Sequence, residues 1–292
     1  MSIINIANSG SQIPLTCMIY RVLSRNNGQL TINEITELCR PIKLGINKNQ
    51  REKFGKELEF WMEEEHQLWC LDADEKLCLV HSKAQPTPSS IAVMINNILY
   101  VSKIKNLFGK TEHDAQDFFI YMSCILSQDK YLPYSSEILE GGQLGAVCQY
   151  LPNIPNSSEQ GNLLEYGVFL GFLEQLGRGY VVDPTRAITG VLPQIFSDAK
   201  ELTAIEFVTG LSNSLPLLDG GVYRLAVEEE MTNRGWEHEA SPNQLSKTVS
   251  HAVERLRIGK VIDVKERADD QDAVYLQVPN QESPFSKVSL RK

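Results

Sequence analysis

Two short clusters of basic and amide side chains could do chemistry on a phosphate backbone or a base edge. The first runs through Lys48, Asn49, Gln50, Arg51, Lys53 and Lys56. The second holds Asn243, Gln244, Lys247, Ser250, His251, Glu254 and Arg255, with Lys265 and Arg267 a little further on. Asn, Gln and Arg offer the paired donors and acceptors that read base edges, while Lys and Ser suit phosphate oxygens. A helix N-terminus adds unpaired N–H groups that favour an anion. We therefore expect duplex DNA contact from Lys48, Asn49, Lys53, Lys56, Asn243, Gln244, Lys247, His251, Arg255, Lys265 and Arg267. The same faces also fit solvated helices on a protein-interaction module. Asp269, Asp270 and Asp272, close to Arg267, would repel a phosphate backbone.

Each cluster needs a helix backed by a hairpin. For the second, Ser241 is a good N-cap and Pro242 suits a first helical position. Leu245, Val249, Val253 and Leu256 then recur at helical spacing, which predicts a helix over 242–257. Two apolar runs, 261–264 and 273–276, predict a hairpin joined by the polar loop 265–272. For the first cluster, Leu15, Ile19, Val22 and Leu23 predict a helix ending near Asn26-Asn27-Gly28. Thr31 with Glu34 forms a capping box for a second helix, which Pro41 stops. Phe54, Leu58, Trp61 and Met62 define a third over 48–64, and strands at 67–71 and 77–80 complete a hairpin. Helix, helix, helix, hairpin is the winged-helix order, so both termini read as winged helices.

Between them, Pro86, Pro88 and two serines mark a linker at 83–90. The centre is mostly helical, over 91–106, 114–128, 136–149, 161–176, 185–195 and 199–212, with a loop at 151–161. An amphipathic helix giving way to a short apolar strand recurs at 58–71, 173–182 and 253–262, suggesting a third, wingless module at 112–184. A turn at 217–223 and a helix at 223–232 precede the last module. The expected fold class is mainly α with small β-hairpins (α+β): a winged helix at 1–83, an acidic helical centre at 84–216 and a second winged helix at 217–292.

The chain has 292 residues and a net charge of −9, which argues against a protein that coats nucleic acid. The acid is concentrated in the middle. Residues 1–83 carry 10 Lys and Arg against 11 Asp and Glu, residues 84–240 carry 9 against 19, and residues 241–292 carry 9 against 7. Both ends suit phosphates better than the centre does. The start lacks a signal peptide's basic end and apolar stretch, and no apolar run approaches the roughly 20 residues of a membrane span. A cytoplasmic protein without membrane attachment is expected. The six cysteines include no C-x-x-C spacing, and we read them as reduced core residues.

No catalytic constellation emerges. There is no G-x-x-x-x-G-K-[ST] phosphate loop, no G-x-G-x-x-G and no G-x-S-x-G elbow. His113 sits between Glu112 and Asp114, but adjacent helical positions do not converge on a metal, so a helix-start cap is the simpler role. No enzyme activity, cofactor or metal is expected.

Three strings carry a family likeness: residues 1–6 (MSIINI), residues 183–188 (DPTRAI) and residues 215–221 (LPLLDGG), together with the pattern over 245–261. In these the chain resembles the DpdG family. That resemblance implies a place in bacterial gene clusters that put deazapurine bases into DNA and restrict unmodified DNA. It implies an accessory subunit on the restriction side and supplies no catalytic residues. The leading expectation is a non-enzymatic accessory subunit whose terminal winged helices bind duplex DNA. Its acidic centre would hold a larger helicase or nuclease subunit of the same system. The rival expectations are a purely protein-binding winged-helix adaptor of an SMC-like or other ATPase complex, and a winged-helix transcription regulator.

Overall fold

A computed structural model describes residues 2–5, 11–40, 48–80, 86–100, 104–110, 113–128, 144–197, 199–237, 243–265, 273–278 and 281–291. The fold is α+β, with helices and small antiparallel sheets. Its chain divides into two compact units, 1–118 and 119–292. Among the described residues no helix is long and apolar enough to cross a membrane.

The first unit opens with α1 (Ile13–Arg25), which has Pro14 in its first turn and buries Leu15, Ile19, Tyr20 and Leu23. The chain then reverses through Asn27 and Gly28, both at positive φ, into β1 (Gln29–Thr31). Thr31 and Glu34 make the expected capping box at the start of α2 (Ile32–Cys39). Next come α3 (Lys48–Phe60), β2 (Trp69–Leu71) and β3 (Lys76–Leu79). The strands form one antiparallel sheet in the order β1-β3-β2. Asp72 shapes the β2–β3 turn, its Oδ1 accepting from the Asp74 and Lys76 amides at 2.9 Å each. Trp61 and Trp69 are both fully buried. Thr87 caps α4 (Pro88–Leu99), so Pro88 opens a helix rather than closing a linker.

The division falls within α5 (Gln116–Leu126). The second unit continues with α6 (Leu144–Val147) and α7 (Ser157–Leu170), the latter started by an Asn156–Glu159 capping box. The expected helix over 136–149 falls largely outside the described residues. Helix α7 starts and ends earlier than the apolar pattern predicts. Gly171 stops it at φ 90°, where an added Cβ would lie 2.7 Å from the Ala187 amide nitrogen. The antiparallel hairpin β4 (Leu173–Leu176)–β5 (Gly179–Val182) follows, inside the 112–184 segment that the sequence reads as wingless.

Helix α8 (Thr185–Phe196) leads to β6 (Glu201–Thr203), a strand absent from the sequence expectation, and then to α9 (Ala204–Ser214). A third capping box, Thr203–Glu206, starts α9 at the end of β6, which is why the expected helix over 199–212 begins late. Helix α10 (Val222–Asn233) follows the 215–221 turn. Gly221 is required there, because a Cβ would stand 2.4 Å from the Pro216 carbonyl oxygen. That carbonyl accepts from the Tyr223 and Arg224 amides, each at 3.1 Å.

The last elements are α11 (Lys247–Ile258), β7 (Ile262–Lys265), β8 (Val274–Val278), β9 (Gln281–Phe285) and β10 (Lys287–Leu290). The expected hairpin between 261–264 and 273–276 does not form. β7 pairs with β10, β10 also pairs with β6, and β8 pairs with β9. Residues past 278 supply the missing partners. The sheet order β6-β10-β7 repeats the plan of the first unit, its edge strand coming from before α9.

Candidate nucleic-acid interface

Helix α3 is anchored by Glu57, which is 2% exposed. Its Oε1 accepts from Ser11 Oγ at 2.8 Å, Thr16 Oγ1 at 2.5 Å and Trp61 Nε1 at 3.0 Å. Its Oε2 accepts from the Gln12 amide at 2.6 Å. Burial pushes this carboxyl above its ordinary value, and the four donors pull it back. The network ties α3 to the start of α1 and fixes which face of α3 looks outward. Phe54 and Leu58 are buried, while Lys53 and Lys56 are exposed. Neither lysine forms an ion pair among the described residues. Glu52 and Glu59 are exposed on the same helix and dilute its charge. Lys48 and Asn49 belong to the first turn of α3, and their side chains lie outside the described residues, as do those of Gln50 and Arg51.

Helix α11 starts five residues later than its apolar pattern predicts. Ser241 and Pro242 lie outside the described residues. Ser246 is the cap, its Oγ accepting from the Val249 amide at 3.3 Å. Asp219 of the 215–221 turn holds that cap, accepting from Ser246 N at 2.6 Å and Ser246 Oγ at 2.8 Å. Arg224, 2% exposed, pairs with Asp219 at 3.5 Å and with Glu228. Ser246→Ala should cost about 1 kcal/mol through loss of the cap. That is a fall of about 3 °C in the melting temperature for a chain of this size, read by circular dichroism.

Because the helix starts at Lys247, Asn243 and Gln244 precede it. Asn243 is exposed at φ 60°, and its carbonyl accepts from the Tyr275 amide at 2.8 Å. Gln244 forms a parallel bridge with Tyr275. Ser250, read as a phosphate-facing hydroxyl, is buried instead, and its Oγ accepts from the Gln277 amide at 2.9 Å. Lys247 and His251 are half-buried. Burial lowers the His251 pKa, opposed by Glu174 and Glu254, so this ring is neutral at pH 7. Arg267 lies outside the described residues.

Five cations of this module meet acids of their own chain. Arg255 reaches Glu174 of β4 at 3.4 Å and the 1%-exposed carboxylate of Asp183. Lys265 and Lys287 both pair with Glu201 of β6, and together they hold its carboxyl at about 2. Arg257 pairs with Glu254, and Arg291 with Asp263. Two of the strings that carry the family likeness thus act on α11. Asp219 holds its first turn, and Asp183 holds Arg255 in its last. Neither link could be read from one sequence, because each joins elements dozens of residues apart.

One further cluster invites a metal. Glu65, His66 and His113 each offer a ligand atom, all within 4.8 Å of one another. Both histidines are buried, and their rings lie 5.8 Å apart. However, His113 Nδ1 accepts from the Ala115 amide at 2.9 Å, so the neutral ring keeps its proton on Nε2. A cation at Nε2 would need an imidazolate, whereas a metal-bound histidine normally donates through its other nitrogen. His113 caps the approach to α5, as the sequence suggests. His66 packs on Phe60 and Trp61, and burial lowers its pKa to about 4, with Asp114 at 3.9 Å opposing.

Compared with known protein families, the chain matches the DpdG-like family over residues 1–270. No curated protein and no solved structure matches it.

Proposed function

The chain belongs to the DpdG-like family, and from that premise we propose that it is a non-enzymatic accessory subunit of a deazapurine DNA modification and restriction system, working in the cytoplasm. Its terminal modules are winged helices that contact duplex DNA, and its acidic centre holds a larger helicase or nuclease subunit. The observation that carries the DNA half is in the first unit. Three helices and a β1-β3-β2 sheet present α3 with Lys53 and Lys56 exposed and unpaired among the described residues. A helix held in this way by a three-stranded sheet is the arrangement that enters or flanks a groove.

The test is binding of the full chain to duplex DNA across a salt series. Neutralising about four phosphates gives a log–log slope near −3.6, and Lys53→Glu with Lys56→Glu should flatten it by about 1.8. A flat response of the unaltered chain removes the DNA half of the reading.

A second reading, a purely protein-binding winged-helix adaptor, is favoured by a different observation. Arg255 and Lys265, two cations of the last module expected to contact DNA, are already held by Asp183, Glu174 and Glu201. On that reading the double lysine variant keeps both its larger partner and its restriction activity.

A further inference from the structure

The β2–β3 hairpin places two thiols directly opposite one another. Cys70 and Cys78 are register partners on adjacent antiparallel strands. The amide of Asp72 donates to the Lys76 carbonyl and that of Val80 to the Leu68 carbonyl. Cross-strand pairs alternate, so Cys70 and Cys78 form a hydrogen-bonded pair of the same phase, with Cα atoms about 5.5 Å apart. That separation is among the commonest for a disulfide. The two side chains project from one face of the sheet, and both residues are half-exposed. The opposite face carries the buried Trp69 and Leu77.

We propose that Cys70 and Cys78 form a reversible cross-strand disulfide that locks the β2–β3 register, with a low-molecular-weight disulfide such as oxidised glutathione as the oxidant. The sequence reading placed all six cysteines in the core. Instead, Cys17, Cys124 and Cys148 are buried, and Cys39, Cys70 and Cys78 are half-exposed. Cys78 Sγ donates to Asp72 Oδ2 at 3.4 Å and approaches the Lys76 carbonyl at 3.6 Å. Partial burial and the Asp72 carboxylate push the Cys78 thiol above its ordinary value, which assigns the first attack to Cys70.

The Cys70 thiolate attacks one sulfur of the small disulfide. A mixed disulfide forms, and the other half leaves as a thiolate that takes up a proton. The Cys78 thiolate then attacks the Cys70 sulfur and expels the second half. Two protein thiols are oxidised to one disulfide, and one small disulfide is reduced to two thiols. Cross-strand Cβ atoms stand about 4.5–5.5 Å apart, at or beyond the span that a relaxed disulfide prefers. The link is therefore strained and readily reduced. Cys124 and Cys148 also lie side by side, but both are buried, out of reach of a small oxidant in the folded chain.

Nothing in this chemistry depends on DNA contact. The experiment titrates the folded full chain with oxidised and reduced glutathione, alkylates the remaining thiols and maps the peptides by mass spectrometry. The expected result is a Cys70–Cys78 link that reverses with dithiothreitol, while Cys124 and Cys148 stay alkylatable only after denaturation. Cys78→Ser should stop the sequence at a glutathione adduct on Cys70, with an unchanged circular dichroism spectrum. Two results would overturn the proposal. One is separate adducts on Cys70 and Cys78 of the unaltered chain with no link between them. The other is both thiols left unmodified at the oxidising end of the series.

Discussion

Glu57→Ala should destabilise the first unit by about 3–4 kcal/mol. The substitution removes the acceptor of four hydrogen bonds from a site that is 2% exposed. Trp61 Nε1 keeps Ser11 Oγ at 2.8 Å, and Thr16 Oγ1 keeps the Gln12 carbonyl at 3.2 Å. The Gln12 amide loses its acceptor, and each buried donor left unpaired costs about 1–3 kcal/mol. The vacated side-chain volume adds a cavity term. Urea denaturation followed by tryptophan fluorescence reads the result, since Trp61 itself donates to Glu57. A cost under about 1 kcal/mol would show that water replaces the carboxylate and that the network does not anchor α3.

The same group gives the stability a pH dependence of definite sign. Burial raises the folded-state pKa of Glu57 above its unfolded value. Its contribution is therefore complete below the unfolded pKa and is lost as the pH rises through the folded one. Glu57→Gln lacks that loss, so the advantage of the unaltered chain over this variant should shrink from pH 4 towards pH 7. His66 runs the other way. Its pKa is lowered to about 4, so its contribution is lost as the pH falls from 6.5 towards 4. Both proteins carry His66, so subtracting one pH curve from the other cancels it.

Local features of the fold were legible in the sequence. Residues Thr31 and Glu34 sit at capping-box spacing, Asn27-Gly28 supplies positive φ, and apolar residues recur along α1 and α3. All of these act within one or two turns of the chain. What failed was long-range. β6 is three residues long and is a strand because β10 lies beside it. The apolar run at 261–264 promised a hairpin with its nearest apolar neighbour, yet its partner is β10, across an intervening hairpin. α11 begins at Lys247 because Asp219 holds its cap, Ser246. Ser241 and Pro242, which satisfied a local rule, lie outside the described residues. The candidate site divides in the same way. Lys53 and Lys56 are exposed as the helical pattern implies, whereas the neutralisation of Arg255 and Lys265 depends on Glu174, Asp183 and Glu201, which no spacing rule could bring to them.

Arg255 is for that reason better treated as a positioning residue, and its loss should appear in stability rather than in a salt slope. The carboxylate of Asp183 is 1% exposed. Its Oδ1 accepts from the Thr185 amide at 2.9 Å, which leaves Oδ2 to the guanidinium. Removing one partner of a buried pair strands the other charge, at about 3–5 kcal/mol where no water can follow. Here 41% of the Arg255 side chain is exposed, and water can reach the gap from that side. Arg255→Met should accordingly cost about 2 kcal/mol, in the range of a single buried group left unsatisfied. The contact with Glu174 adds little, since both side chains are more than a third exposed. Asp183→Asn keeps an oxygen for the Thr185 amide and removes the stranded charge. Combined with Arg255→Met, it should recover more than half of the loss, a coupling that a double-mutant cycle measures directly. If Arg255 is spent on Asp183, Arg255→Met leaves the salt slope for duplex DNA unchanged, while the Lys53 and Lys56 double variant lowers it. The converse, a stable Arg255→Met chain with a reduced slope, would return Arg255 to the nucleic-acid face and make its contacts with Asp183 and Glu174 dispensable.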